Sequence, residues 1–467
     1  MTIIDGLTIF AFILLCYFGI IYYLHKKGLM EKYNISFFGP ALMFRTKKGR
    51  KFLENLASHK RFWKGFGTVG VVFCFFSMFY MVYIFALNLS VIFSIDPALK
   101  ELLPSPDMIL VLPGINPLLP LEYLVYIVIA LALAMIVHEF SHGILTLVAK
   151  IKVKSLGLLL FIFPIGAFCE PDEEGIKKTG HVKRMRIYAA GPMSNFVVTL
   201  IALLLFSFVF MPAAQPIDGA EILSAYEETS ADEINMLPGA LITSFNDSVI
   251  TNREDLSEAI QNTHPNQTVS VTYRYMGEEI TNSTSLTSYY DVLLSQYGAT
   301  VFANESSENI SKLKNTSFFG IMYNILKEEY MPSLKNPLYD FPNGFLNIYA
   351  LPFIGYHQGY NPISEPYTYN YELQGPLSIL PMDVFWAIAS TLYWIFWLNL
   401  AVAIFNSLPI VPFDGGYMFS DGIHLFLKKF KKDLSDERRE KIVKNIVTAI
   451  SLLLFFLIIF PFFFKYL

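Results

Sequence analysis

Residues 131–149 read LALAMIVHEFSHGILTLVA. The stretch is apolar and long enough to cross a bilayer as a helix, yet His138, Glu139 and His142 stand near its centre. A strongly polar side chain in the middle of a membrane helix costs roughly 2.5 to 3.5 kcal/mol on insertion scales, so such residues usually mark function. The stretch therefore predicts a membrane-spanning helix that carries a chemical site.

The composition of the whole chain is that of a polytopic membrane protein. Of 467 residues, 54% are hydrophobic and 16% are charged, with a mean hydropathy of +0.45. The three cysteines are far apart and form no CxxC pair, which argues against redox chemistry and against a disulfide framework. The chain has no predicted surface in which basic and aromatic residues are interleaved, a pattern that would indicate nucleic-acid binding.

Six apolar stretches of at least about 18 residues predict membrane-spanning helices. They lie at about residues 6–24, 67–94, 120–149, 187–212, 383–408 and 445–465. The first lacks the positively charged start and the small-residue cleavage site of a secretory signal, so we expect it to be retained as a span.

The charges between the spans predict the orientation. Basic residues are frequent in 26–64, 150–186 and 417–444, whereas acidic residues outnumber basic ones in 213–382. The positive-inside bias predicts three cytoplasmic segments, an extracytoplasmic segment 213–382 and extracytoplasmic termini. N-glycosylation sequons in the same outer segment agree with this orientation. They are Asn246, Asn266, Asn282, Asn304, Asn309 and Asn315.

His138, Glu139 and His142 form an HExxH motif. Residues four apart lie on one helix face, so the two imidazoles can share one Zn²⁺ ion. Glu139 lies about 100° round the helix, where it can reach a metal-bound water and serve as its general base. The alternative is a pair of histidines hydrogen-bonded between helices, with Glu139 as a chance neighbour. The insertion cost of all three side chains favours the zinc interpretation.

A third zinc ligand is expected in FNSLPIVPFDGGYMF, residues 405–419. Pro409 and Pro412 end regular helix, and the glycines after Asp414 permit turns. Irregular backbone at membrane depth is tolerated only where it is buried in protein or lines a wet cavity. Asp414 is therefore predicted to be the third ligand. The alternative is that Asp414 only caps the helix that follows.

These motifs resemble the site-2 protease family of intramembrane zinc metalloproteases. A further motif, AAGPMSNF at 189–196, matches the Gly-Pro-x-x-Asn element of that family and ends in Asn195. The resemblance implies that one Zn²⁺ is held by His138, His142 and Asp414 and that Glu139 activates water. It also implies that Asn195 holds the substrate or the transition state near the metal; the alternative is a packing contact between helices.

Residues 156–175, LGLLLFIFPIGAFCEPDEEG, are apolar but too short to cross the membrane and return as helices. With Pro164 and Gly166 they predict a re-entrant β-hairpin, although an interfacial loop without substrate contact is the alternative. The hairpin is similar to the embedded loop of the family, which implies that it presents substrate as an added strand. Pro164, Gly166 and Asn406 are the predicted substrate-binding residues.

The outer segment has two parts. Residues 238–250 and 253–260 resemble a circularly permuted PDZ domain, which implies peptide binding or exclusion of bulky substrates. Residues 315–382 are rich in Tyr, Pro and Gly and predict a cap at the membrane surface. The remaining histidines are expected to be structural. They include His181, His264, His357 and His424.

The predicted fold class is a polytopic α-helical membrane protein with about six transmembrane helices, a re-entrant β-hairpin and an extracytoplasmic PDZ-like α/β insert. The predicted divisions are 1–118 with two spans, 119–212 with the catalytic helices, 213–314 with the PDZ-like domain, 315–382 with the cap, and 383–467 with the last two spans.

The expected function is that of a zinc metalloendopeptidase acting in regulated intramembrane proteolysis. Its partners would be the bilayer and single-span membrane-protein substrates, cut at a site nearer the cytoplasm. Prenyl-protein processing enzymes share HExxH but use a glutamate as third ligand, and no matching helix is found here. A metal transporter or a catalytically silent receptor remains as an alternative.

Overall fold

The computed structural model describes residues 3–46, 49–96, 100, 103–109, 113–161, 163–464 and 466. Most of these residues are helical. The helices are α1 (Ile3–Lys26), α2 (Leu29–Lys32), α3 (Arg50–Ala57), α4 (Lys60–Ser94), α5 (Leu124–Val148), α6 (Glu173–Lys178), α7 (His181–Leu205), α8 (Ser230–Glu233), α9 (Arg253–Gln261), α10 (Tyr289–Tyr297), α11 (Ser307–Asn315), α12 (Leu326–Lys335), α13 (Asn343–Gln358), α14 (Met382–Ser407), α15 (Asp414–Phe430) and α16 (Asp436–Phe464).

The strands form two main antiparallel sheets and two short pairs. They are β1 (Ile35–Phe38), β2 (Ala41–Thr46), β3 (Val153–Phe161), β4 (Phe163–Pro171), β5 (Ala214–Pro216), β6 (Ala220–Ala225), β7 (Leu241–Phe245), β8 (Ser248–Val249), β9 (Thr268–Tyr275), β10 (Glu278–Ser285), β11 (Thr287–Ser288), β12 (Ser317–Phe318), β13 (Ile321–Tyr323) and β14 (Tyr371–Leu373). The chain divides into two compact units, Met1–Ala202 with Trp394–Leu467, and Leu203–Tyr393.

Five helical segments among the described residues are long and apolar enough to cross a membrane, which confirms a polytopic membrane protein. They are Lys60–Ser94, Leu121–Val148, His181–Ala213, Met382–Ser407 and Asp436–Phe464. Each overlaps one of the predicted spans. Helix α1 covers the remaining predicted span, and its crossing of the membrane stays a prediction.

The first unit contains a four-stranded sheet in the order β1-β2-β3-β4. Strands β3 and β4 form the hairpin expected between the third and fourth spans, and Gly166 of β4 pairs with Leu159. Ile162, between the two strands in sequence, lies outside the described residues. The insertion of this hairpin into the membrane stays a prediction. The β1–β2 hairpin was not predicted, although a Gly39-Pro40 turn between two apolar runs is a recognisable signal.

Helix α5 is fixed against this sheet by an apolar cluster. Ile144, Leu145 and Val148 on the last turns of α5 are buried with Val153 and Leu156 of β3. In a membrane helix such side chains stabilise the contact by van der Waals packing, since lipid is as apolar as the cluster. The cluster therefore holds the end of β4 near the HExxH segment.

The second unit is built on a sheet in the order β10-β9-β7-β6-β13, with β8 paired to β7. Between residues 241 and 285 the chain forms two strands joined by a turn, a helix and a hairpin, which are β7, β8, α9, β9 and β10. Strand β13 lies beyond residue 314 and is an edge strand of this sheet. Phe319, just before β13, packs into the core, with its ring centroid 5.4 Å from that of Phe245.

Candidate metal centre

Three of the predicted residues converge in the first unit. His138 and His142 lie one turn apart on α5, and Asp414 is the first residue of α15. The Nε2 atoms of both histidines lie 3.1 Å from Oδ2 of Asp414. One donor atom from each residue falls within 4.8 Å of the other two. The predicted ligand set is therefore brought together by segments far apart in sequence.

The other ring nitrogens of the histidines are held by protein acceptors. Nδ1 of His142 lies 2.7 Å from the carbonyl oxygen of Ile187, which can only accept a hydrogen bond. Nδ1 of His138 lies 3.2 Å from Oδ1 of Asn195. A proton on each Nδ1 leaves the lone pair of each Nε2 directed at Asp414. Such contacts orient metal-binding histidines and raise their basicity.

The donor set fits a zinc ion. Zinc binds imidazole nitrogen and carboxylate oxygen at about 2.0 to 2.2 Å, which places tetrahedral ligands roughly 3.3 Å from one another. The 3.1 Å separations between Asp414 and both histidines are close to that value. A Cβ on Gly191 would lie 2.5 Å from Nε2 of each histidine. The absence of a side chain at Gly191 therefore keeps the space beside both nitrogens open.

The segment between α14 and α15 folds tightly to present Asp414. A Cβ on Gly415 would lie 2.2 Å from the carbonyl oxygen of Ser407, and one on Gly416 would lie 2.6 Å from Ile410. Only glycine permits this approach. Asp414 stands in the first turn of α15 and directs its carboxylate to the imidazoles, so the N-terminal dipole also favours its charged form.

Glu139 lies in the same cavity as the three candidate ligands. The cavity has a volume of about 600 Å³. Oε2 of Glu139 accepts a hydrogen bond of 2.9 Å from the backbone N–H of Cys169 on β4. The carboxylate is thus directed toward the sheet and the cavity rather than into the group formed by His138, His142 and Asp414.

Asn195 lies behind His138 and is fully buried. Its Nδ2 donates to the carbonyl oxygen of Ala134 at 3.3 Å and to Oδ1 of Asn399 at 3.2 Å. Both ends of its amide are therefore engaged by protein partners. The structure places Asn195 in contact with His138, and its expected role in holding the substrate or the transition state stays a prediction.

The three predicted substrate-binding residues are not brought together at one place. Asn406 lines the cavity that contains the candidate ligands and donates from Nδ2 to the carbonyl oxygen of Val402 at 3.0 Å. Pro164 and Gly166 pair with Leu160 and Leu159 in the β3–β4 hairpin. Their roles toward substrate stay predictions.

The sequence reasoning missed two partners of the site. Asn399 stands within the apolar run WLNLAVA of α14, so its polarity was a signal that could have been used. The contact between Glu139 and the backbone N–H of Cys169 could not be predicted, because every residue except proline has such a group.

The fold and the site together define a polytopic membrane protein with a metallopeptidase centre. The profile of peptidase family M50 matches residues 126–454, and the chain belongs to this family, the site-2 protease family. The predicted resemblance is thereby confirmed.

Relatives and solved structures also show similarity. The uncharacterized protein MJ0971 of Methanocaldococcus jannaschii is 24% identical over 86% of this chain and 83% of its own length. The PDZ domain of an SdrC-like protein (Lmo2051) from Listeria monocytogenes is 15% identical over 24% of this chain and 95% of that chain, with a TM-score of 0.18. The PDZ domain of an SdrC-like protein (Lin2157) from Listeria innocua is 19% identical over 23% of this chain and 94% of that chain, with a TM-score of 0.17.

Proposed function

We propose that this chain is an intramembrane zinc metalloendopeptidase that cuts membrane-protein substrates within or near their spans. The observation that carries the proposal is the convergence of His138, His142 and Asp414 beside Glu139 in one cavity on apolar helices. Family membership supports a peptidase over a transporter or a silent receptor.

His138, His142 and Asp414 would hold one Zn²⁺ ion. Bound there, the ion would supply Lewis acidity and lower the pKa of a coordinated water. Asn195 and the carbonyl of Ile187 keep both imidazoles in the tautomer that leaves Nε2 available. Gly191 keeps the position free of side-chain atoms.

Glu139 is the general base in this proposal. Its Oε2 is held by the N–H of Cys169, so we assign Oε1 to accept the proton of the attacking water. The same carboxylic acid then protonates the leaving amine. Proton transfer by a positioned carboxylate contributes about 10² to 10⁴-fold to a reaction rate.

The substrate would add as a strand to the outer edge of β4. In the described sheet β4 pairs only with β3, and the N–H of Cys169 faces away from β3, toward Glu139. Side-chain direction and hydrogen-bonding direction alternate along a strand, so the N–H of Ala167 faces the same outer side. An extended peptide paired there would place its backbone beside the base, and peptide bonds are exposed only in an extended chain.

The polar end of the cavity supports water entry from the cytoplasmic side. Glu173, Lys177 and Arg184 line the cavity, and they belong to the segment that the positive-inside bias assigns to the cytoplasm. The insert in the second unit would bind or filter substrates. Its edge strand β13 is the kind of surface at which strand addition occurs.

The test is cleavage of a co-expressed single-span membrane protein by the wild type and by Glu139→Gln. We expect the variant to keep its zinc, measured by inductively coupled plasma mass spectrometry, and to lose the cleaved fragment. Glu173→Gln, a change of the same size at the rim of the cavity, is the matched control and should still cleave. Equal cleavage by Glu139→Gln would reject the mechanism.

A further inference from the structure

A second cavity lies in the first unit between the start of α7, helix α15 and helix α16. Its volume is about 730 Å³. None of the three candidate metal ligands lines it. Its walls change from charged to apolar along its length, so it differs in chemistry from the catalytic cavity.

One face of α16 forms the long wall of this cavity. The lining residues recur every three or four positions from Glu440 to Leu452, a distance of about 18 Å at 1.5 Å per residue. Glu440 and Lys444 stand in the charged first turns of α16, whereas Val447 and Leu452 belong to its apolar run. The cavity therefore extends from the polar end of a membrane span toward its hydrocarbon region.

One of the two acids that line the cavity is already neutralised. Asp421 is buried and accepts hydrogen bonds from Nε of Arg184 at 3.0 Å and from His181 Nδ1 at 2.6 Å. Among the ion pairs of the described residues, none involves Lys177 or Lys444. At this cavity the two ammonium groups of Lys177 and Lys444 therefore outnumber the one remaining carboxylate, that of Glu440.

His424 lies at the polar end of the cavity beside His181. Its ring stacks on that of His181 with centroids 4.1 Å apart, and its Nδ1 is buried with no hydrogen-bond partner among the described residues. Burial lowers the pKa of His424 below its ordinary value, and the nearby Arg439 guanidinium adds to this shift. The imidazole is therefore neutral at pH 7 and does not add a positive charge to the polar end.

We propose that this cavity binds one anionic phospholipid of the cytoplasmic leaflet, with its phosphate between Lys177 and Lys444 and an acyl chain along Val447 and Leu452. The cavity has cationic side chains at one end and apolar side chains along the rest of its length. This arrangement suits a ligand with a charged headgroup and an acyl chain. Basic pockets between membrane helices on the cytoplasmic side bind acidic headgroups through the same chemistry. The proposal goes beyond the peptidase function, since it concerns binding and does not need an active catalytic centre.

The bound lipid would border the catalytic cavity. Lys177, Arg184 and Tyr417 line both cavities, and the ring of Tyr417 stacks on that of Tyr188 with centroids 5.2 Å apart.

The experiment is native mass spectrometry of the full-length chain in detergent, titrated with dioleoylphosphatidylglycerol or with dioleoylphosphatidylcholine. We expect one phosphatidylglycerol to bind at least about tenfold more tightly than phosphatidylcholine, because each cation near a phosphate contributes several-fold. The double variant Lys177→Gln/Lys444→Gln should lose this preference. Both lysines are exposed, so the variant keeps its fold. The neighbours Lys178 and Lys441 do not line the cavity, and Lys178→Gln/Lys441→Gln is the matched control.

A second pair of variants tests the apolar part of the cavity, where the acyl chain would lie. Val447→Trp fills the cavity and should abolish the tight site, whereas Leu453→Trp, on an exposed face of α16, should leave it unchanged. Equal affinity for both lipids, or full retention by the double lysine variant, overturns the proposal. Displacement of phosphatidylglycerol by an equal concentration of glycerol 1-phosphate also overturns it, because the ligand would then be a soluble phosphate.

Discussion

Oδ1 of Asn195 lies 3.2 Å from Nδ1 of His138, and the amide group of Asn195 donates onward to Asn399 on α14. One buried side chain thus links three helices and fixes the ring that faces Asp414. Because the amide is fully buried, loss of any one contact leaves a polar group without a partner, which costs about 1 to 3 kcal/mol. Asn195 is therefore a positioning residue in our proposal.

Asn195→Ala should weaken zinc binding by about 10- to 100-fold, because His138 loses the acceptor that sets its tautomer. Zinc affinity is measured by competition with a chromophoric chelator. Thr199→Val, one turn further along α7, is the control, since the Thr199 hydroxyl is buried without a hydrogen-bond partner among the described residues and its loss should not matter. Wild-type affinity in Asn195→Ala would remove the positioning role.

Asp414→Ala should reduce bound zinc from about one ion per chain to a small fraction, because two histidines alone make a weak site. Inductively coupled plasma mass spectrometry of the purified chain gives the stoichiometry. Asp433→Ala, between α15 and α16 at an exposed position, should keep the metal. A full complement of zinc in Asp414→Ala would show that the third ligand is another residue.

Gly191→Ala should abolish both zinc binding and cleavage, because the new methyl group would stand 2.5 Å from Nε2 of each histidine. Ala at an ordinary helical position gains about 1 kcal/mol over Gly. Gly65→Ala on α4 meets no atom within 4 Å and serves as the control, with unchanged activity. An active, zinc-loaded Gly191→Ala protein would contradict the proposed metal position.

Ala167→Pro should lower kcat/KM for a membrane substrate by at least about tenfold, since a proline removes the outward N–H of β4 without affecting a bond to β3. Ala167→Val keeps that N–H and is the control. Zinc content is measured in parallel to show that the centre is intact. If both variants cleave equally well, the substrate does not pair with this edge.

Lys327→Met should destabilise the second unit by about 3 kcal/mol, because Glu221 would keep a buried charge without its cation. Nζ of Lys327 lies 3.2 Å from Oε2 of Glu221, and the side chains are 13% and 4% exposed. Asn324 and Asn370 also donate to this carboxylate. We expect a fall in the thermal midpoint of roughly 6 to 12 °C, followed by intrinsic fluorescence. Lys312→Met, on an exposed face of α11, should not shift it.

The residues of the candidate metal centre could be predicted because the free-energy cost of placing polar side chains in an apolar helix is visible in the sequence. His138 and His142 interrupt an apolar helix at a spacing of four. Asp414 follows Pro409 and Pro412, two prolines that a straight membrane helix would not tolerate. Each signal is local. The spans and the order of elements around α9 follow from equally local patterns of hydropathy and turn residues.

The contacts that support the centre could not be predicted in the same way, because they join distant segments. Asn195 meets Asn399 across 204 positions, and Arg184 meets Asp421 across 237. Strand β2 pairs with β3, which is distant in sequence, and neither segment has a residue pattern that identifies the other as its partner. The role of Asn195 toward the substrate or the transition state stays a prediction, and its contacts with His138 and Asn399 could not be read from its own segment alone.

The distance in sequence between His142 and Asp414 has a consequence for biosynthesis. The two residues are 272 positions apart, so a ribosome must complete most of the chain before the third donor emerges. During that interval the nascent polypeptide holds only a two-histidine half-site, which binds zinc weakly. In the proposed function, a zinc site with all three ligands therefore forms only after Asp414, at the start of α15, has reached His138 and His142 on α5.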